Sequence, residues 1–131
     1  EGNEEFKHQY KIIYEPIKTN VVVTDIKSSE LIKHASNAFL ATKISFINAV
    51  AQICDHVGGD VLKVAEGLGL DKRIGRKFLD AGIGYGGSCF PKDVDAFIHL
   101  SEKSGYDFAL LKEVRHINEF QKNYRGLRLS L

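Results

Sequence analysis

At 131 residues and 14.6 kDa the chain has the length of about one domain, for which ~100–200 residues is the usual size. Its 18 basic and 17 acidic residues leave a net charge of +1, so no electrostatic field draws it to nucleic acid or an anionic membrane. A composition 44% hydrophobic and 27% charged, with 12 Gly and 2 Pro, excludes intrinsic disorder and fibrous repeats, and no apolar run approaches the ~18 residues of a membrane span.

In chain order, Phe6, Tyr10, Ile13 and Tyr14 fall at helical spacing within residues 4–14, and Pro16 stops the pattern. The β-branched run Val21-Val22-Val23-Thr24-Asp25-Ile26 reads as a short strand. Nothing later could pair with it, so it is expected to be the edge strand of a sheet outside this sequence. Ser28-Ser29-Glu30 offers an N-cap with an acid in the first turn, and a helical pattern without Gly or Pro then runs to Val57, where Gly58-Gly59 closes it. Leu31, Ala35, Ala38, Phe39, Thr42, Phe46, Ala49 and Ile53 give this long helix a broad apolar face. The width of that face predicts a homodimer through residues 29–57.

Asp60 is expected to cap a short helix over 61–67, with Gly67-Leu68-Gly69 as its breaker, and residues 71–90 read as a glycine-rich loop. Pro91 suits the first turn of a third helix running to about Ser104. A fourth helix begins at Asp107 and carries Phe108, Leu111, Val114, Arg115, Ile117, Asn118 and Gln121. From Tyr124 the tail is basic and expected to fray. The fold class is all-α: a bundle-like domain around one long helix, with a leftover strand near 21–26.

No basic segment with an apolar core and cleavage site opens the chain, and the two cysteines, Cys54 and Cys89, form neither a disulfide framework nor a CxxC site. A reducing cytoplasm fits this usage. Methionine is absent even at position 1, so the chain is expected to be a processed or excised piece of something longer. The five histidines form no HxxxH or Cys/His cluster, which argues against a metal site.

The densest chemical signal is GIGYGGSCFPKD, residues 82–93. Gly82, Gly84 and Gly87 satisfy GxGxxG, but that pattern binds a dinucleotide only between a strand and a helix of a βαβ unit. Residues 76–81 do not read as a strand, so the Rossmann reading is rejected. What remains is a backbone-rich loop delivering Cys89 to the start of a helix, where the helix N-terminus and Lys92 favour a thiolate. Asp93 lies four residues on, on the same helical face. The alternative is that Cys89 is a small buried hydrophobe and the glycines form only a turn. Cys54, in the apolar half of the long helix, reads as structural and inert. Lys33 and Asn37 are spaced i, i+4, and by themselves a surface lysine and a solvated asparagine explain them as well as function does.

Taken together, ELIKHASNAFLATKISFIN (residues 30–48), DKRIG (71–75) and GYGGSCFPKD (84–93) resemble the UDP-glucose/GDP-mannose dehydrogenase family, over about residues 14–121. The resemblance is to the family's central helical domain, which bridges two Rossmann-like domains and is similar to the C-terminal domain of 6-phosphogluconate dehydrogenase. It implies that residues 1–27 end a preceding Rossmann domain, that 28–125 form the helical dimerisation domain with the catalytic cysteine, and that 126–131 are a tail.

The resemblance further implies NAD-dependent oxidation of the C6 alcohol of a UDP-sugar to a carboxylate. In it Cys89 forms a thiohemiacetal and then a thioester, Lys33 stabilises developing negative oxygen, Asn37 orders the catalytic water, and Asp93 serves the acid–base steps. It assigns Lys33, Asn37, Phe78, Leu79, Asp80, Ala81, Gly82, Tyr85 and Gly86 to the substrate, Arg73 to the substrate of a neighbouring subunit, and Lys92 to the cofactor side. Phe90 and residues 38–43 lean toward UDP-glucose, with GDP-mannose the alternative. A non-catalytic helical dimerisation module is the reading from a different class, and the chain by itself is expected to be inactive.

Overall fold

A computed structural model describes the backbone of residues 4–128 and the side chains as far as Tyr124. Two compact units divide at Lys33/His34.

In the first unit, helix α1 (Glu4–Tyr14) has Glu4 and Glu5 in its first turn and Lys11 in its last, each charge opposing the nearby end of the helix dipole. Phe6, Tyr10 and Tyr14 form an i, i+4 ladder of rings, with centroids 5.8 and 4.8 Å apart. Pro16 falls in a single 3₁₀ turn (Glu15–Ile17), which ends at Lys18 in a left-handed conformation. The strand expected at 21–26 is not formed: residues 19–25 have no regular structure, and Ile26 already belongs to the next helix. β-branched composition alone cannot hold a strand, and no second extended segment among the described residues is available to pair with it. The N-cap also differs from expectation. Asp25 takes that place, its Oδ1 accepting the Ser28 N–H at 2.9 Å, so Ser28 and Ser29 lie inside the first turn.

Helix α2 (Ile26–Val57) is 32 residues, about 48 Å at ~1.5 Å per residue. Its end follows the sequence. Gly58 takes φ of 76°, which lets the Gly59 N–H reach back to the Cys54 carbonyl at 2.9 Å.

In the second unit the C-terminal part of α2 is the spine of two apolar clusters. In one, Ala38 and Ala41 meet Tyr85, then Val94 and Ile98 of α4 (Phe90–Lys103) and Leu111 and Val114 of α5 (Ala109–Arg128). In the other, Ile47 meets Ala65 of α3 (Val61–Leu70) and Leu79 of the long loop. Small residues on α2 allow the close approach, and the buried Ser45 hydroxyl donates to the Val114 carbonyl at 2.8 Å. Burying side chains such as Ile47 and Leu111 stabilises by about 1.5–3 kcal/mol each.

Asp60 caps α3 as expected, accepting the Leu62 N–H at 2.8 Å. Gly67 and Gly69 do not break that helix. A helical glycine costs only about 1 kcal/mol, and at Gly69 a Cβ would strike the Arg76 side chain, so the residue serves packing. Helix α5 starts two residues later than expected, with the Phe108 carbonyl accepting from Leu111 and Lys112. It continues past Tyr124 to Arg128, so the expected fraying does not begin at Tyr124, while 129–131 lie outside the described residues.

Candidate functional site

Residues 71–89 connect α3 to α4 without a helix or strand of their own. Gly82, Gly84 and Gly87 therefore lack the strand–turn–helix setting of a dinucleotide cradle. Their segment is instead held by side-chain amides. The Gly82 N–H donates to Asn48 Oδ1 at 2.8 Å, and the Gly82 carbonyl accepts from Gln121 Nε2 at 2.8 Å. Gln52 in turn donates to Gln121 Oε1 at 3.1 Å. Three residues on, Asn118 closes on both backbone groups of Tyr85, accepting its N–H at 2.7 Å and donating to its carbonyl at 3.0 Å. Gly84 makes that possible: its φ is 93°, and any Cβ there would collide with the Asn118 amide.

The loop delivers Cys89 to the N-cap of α4, where it is exposed and lies 3.8 Å from the Ser88 hydroxyl. Its carbonyl accepts the Asp93 N–H at 2.9 Å. One turn into the helix the Asp93 side chain is buried, 4% exposed, and accepts a 2.5 Å hydrogen bond from Asn37 Nδ2 on α2. Thus Asn37, Asp93 and the start of α4 form one hydrogen-bonded unit beneath an exposed thiol. Cys54 is buried in α2, as its apolar setting suggested. Lys33 is exposed on α2, one turn before Asn37.

The remaining residues assigned through the resemblance separate by burial. Leu79 and Tyr85 place their side chains in the two apolar clusters, and Asn118 takes both backbone polar groups of Tyr85. Phe78 is partly exposed and holds φ of 66°, an uncommon conformation for a bulky residue, with its ring edge-on to Phe90 at 6.4 Å. Asp80 is exposed and paired with Arg76 at 2.6 Å, Ala81 and Gly82 are half-buried, and Gly86 is exposed. Arg73 extends into solvent, with its guanidinium forked onto Asp71 at 2.6–3.1 Å. That pairing holds the Asp71 carboxyl below its ordinary value and the Arg73 guanidinium above its own. Lys92 is exposed near the start of α4. Burial, then the Asp95 and Glu119 carboxylates, pushes the Tyr85 hydroxyl up to about 12, against an opposing effect of Arg115. Among the described residues no group of three or more His, Cys, Asp and Glu is placed to hold a metal ion.

Asn48, Asn118 and Gln121 carry only a weak signal in the sequence: they are amides in helix interiors, where such residues need a partner beyond the helix.

An all-helical domain that presents a loop cysteine at a helix N-terminus, with a buried carboxylate one turn below, is the class that fold and site define. A family model described as the UDP-glucose/GDP-mannose dehydrogenase family, central domain, matches residues 27–120. The chain belongs to that family. It is 56% identical over 110 residues to UDP-glucose 6-dehydrogenase TuaD of Bacillus subtilis, covering 84% of this chain and 24% of that protein. A UDP-glucose 6-dehydrogenase of Rickettsia conorii is 49% identical over 119 residues, 90% of this chain and 28% of that protein. Among solved structures, a UDP-glucose dehydrogenase from the hyperthermophilic archaeon Pyrobaculum islandicum superposes with a TM-score of 0.87 at 44% identity, over 91% of this chain and 28% of that one. The chain thus spans about a quarter of the length of the relatives it matches.

Proposed function

We propose that this chain is the cysteine-bearing central domain of an NAD-dependent dehydrogenase that oxidises the C6 alcohol of UDP-glucose to the carboxylate of UDP-glucuronate. The observation that carries the reading is the part-buried Asn37–Asp93 hydrogen bond one turn into the helix that begins at an exposed Cys89. It brings a nucleophile, a carboxyl group for proton transfer and an amide together at one helix start. The names of the relatives favour UDP-glucose over GDP-mannose.

In this reading the alcohol is first oxidised by two electrons to an aldehyde. The Cys89 thiolate adds to that aldehyde, forming a carbon–sulfur bond and a thiohemiacetal. A second two-electron oxidation gives a thioester, and water cleaves it to release the carboxylate and regenerate the thiol. Lys33 stabilises negative charge on the oxygen, Asn37 orders the water, and Asp93 holds and returns its proton. In this reading Phe78, Asp80 and the backbone of Leu79, Ala81 and Gly86 contact the sugar nucleotide, Arg73 reaches that of a neighbouring subunit, and Gly82 and Tyr85, whose N–H and carbonyl groups are bonded to side-chain amides, shape the loop around it. The described residues fit one edge of NAD at most, through Lys92, because the glycine segment has no preceding strand and its backbone is already bonded to amides. The rest of the cofactor is held in this reading by residues that this chain does not contain. When bound, NAD supplies the hydride acceptor for both oxidations.

Self-association belongs to the same proposal. Phe39, Phe46 and Ile53 recur every seven residues on α2 and remain 52–65% exposed, an apolar seam suited to a second copy of the helix in a homodimer. Two free cysteines, and no described helix long and apolar enough to cross a membrane, support a cytoplasmic setting.

The full-length protein, incubated with NAD and UDP-glucose, is expected to release UDP-glucuronate, and its Cys89→Ser variant is expected to release none. Turnover of GDP-mannose in preference to UDP-glucose would change the substrate, and full activity in Cys89→Ser would remove the thioester route.

A further inference from the structure

The segment that leads to Cys89 has no secondary structure, yet its buried backbone groups need partners as those of a strand do. Asn118 supplies both for Tyr85 in one two-point contact. Asn48 and Gln121 supply them for Gly82, with Gln52 fixing the Gln121 amide from behind. The segment is thus tied at each end to helices that also form the core, with α2 and α5 both contributing. Beyond Tyr85, the exposed Gly86 and Gly87 would allow the chain to wander before Cys89. The Tyr85 ring, however, lies 6.0 Å from that of Phe90, so residues 86–89 are anchored at both ends.

We propose that Asn118, supported by Asn48, Gln52 and Gln121, is a positioning residue for the reaction, setting the path of the loop so that the Cys89 thiol is presented in one place relative to Asp93. The inference rests on Cys89 being the nucleophile. It also accounts for the glycine pattern: position 84 lacks a side chain because the Asn118 amide occupies the space that a Cβ would take. A misplacement of about 1 Å in a reacting group can lower a rate ~10²-fold, so releasing Tyr85 should act on the chemical step.

The test uses the full-length protein with NAD and UDP-glucose. Folded Asn118→Ala is expected to lose kcat by ~10²-fold while KM for NAD stays unchanged. Gln52→Ala removes only the outermost hydrogen bond and serves where Asn118→Ala is too unstable. It should lose kcat about fivefold, the range of one net hydrogen bond. Cys54→Ala, a buried change outside both apolar clusters, should lower the urea midpoint and leave kcat at the parent value. Wild-type kcat in folded Asn118→Ala or in Gln52→Ala would overturn the proposal, as would an equal fall of kcat in Cys54→Ala. Cys89→Ser measured in parallel separates the two readings. If it still makes the carboxylate, the nucleophile assignment fails, and if it is dead while folded Asn118→Ala is unaffected, only the positioning role fails.

Discussion

Asn37 and Asp93, 56 residues apart in sequence, meet through a 2.5 Å hydrogen bond between α2 and α4, and the backbone N–H of the same Asp93 is held by the carbonyl of Cys89. The backbone at Cys89 is therefore linked to the long helix through Asp93. Shortening Asn37 would take one hydrogen bond from a carboxyl group that is only 4% exposed. Asn37→Ala is expected to destabilise the domain by about 1–3 kcal/mol. Asp93→Asn should cost less, since its amide oxygen can still accept from Asn37 Nδ2. Urea unfolding of both variants checks the order, and equal midpoints for Asn37→Ala and the parent would contradict it.

Cys89 is exposed and Cys54 is buried. Brief treatment with iodoacetamide at neutral pH should therefore place label on Cys89, with Cys54 reacting only in urea. Peptide mass spectrometry reads the site directly, and faster labelling at Cys54 would reverse the assignment.

The Tyr85 hydroxyl is buried and has no hydrogen-bond partner among the described residues. Removing it should be close to neutral at pH 7, or slightly stabilising, because an unpaired buried polar group costs free energy. Its ionisation is pushed from 10.0 to about 12 by burial and by Asp95 and Glu119. A raised folded-state value means that the native state retains the proton longer than the unfolded chain. The contribution of Tyr85 is thus complete below pH 10 and is lost as pH rises toward 12. Tyr85→Phe should flatten this part of the loss in a comparison of unfolding midpoints between those two pH values. An unchanged alkaline slope would remove Tyr85 as its source.

The seam of Phe39, Phe46 and Ile53 predicts that the chain sediments at roughly twice 14.6 kDa at micromolar concentration. Phe46→Lys, at a half-exposed position, should give monomer with little change in helix content by circular dichroism. A parent that already sediments as a monomer would remove the seam as an interface of this chain.

The 131-residue chain is expected to show no saturable heat on titration with NAD up to millimolar concentration. Dinucleotide binding requires a strand, a glycine turn and a helix N-terminus in one unit, whereas the turn here is spent on Asn48, Asn118 and Gln121. A micromolar dissociation constant would show that the loop binds cofactor after all.

Much of this protein is written locally. The helix over residues 4–14, the Asp60 cap, the Gly58-Gly59 stop and the Pro91 start depend on a few neighbouring residues each, and all four are found where local chemistry puts them. The buried Cys54 follows in the same way from an apolar helix face, whereas the exposure of Cys89 decides against its alternative as a small buried hydrophobe. Other features depended on partners remote in sequence. Val21–Ile26 has the composition of a strand, but a strand exists only beside another, so no local pattern could decide it. Gly69 resembles a helix stop until Arg76 is seen against it. Asn37 passes for a solvated amide until α4 brings Asp93 to it, and Asn118 is an ordinary helix residue until the loop folds back over α5. Composition and spacing are enough to place the long helix and the start of the helix that follows the cysteine loop. Which polar side chains are buried, and which backbone groups they satisfy, was decided only by packing, because a hydrogen bond across 33 or 56 residues leaves no period in the sequence.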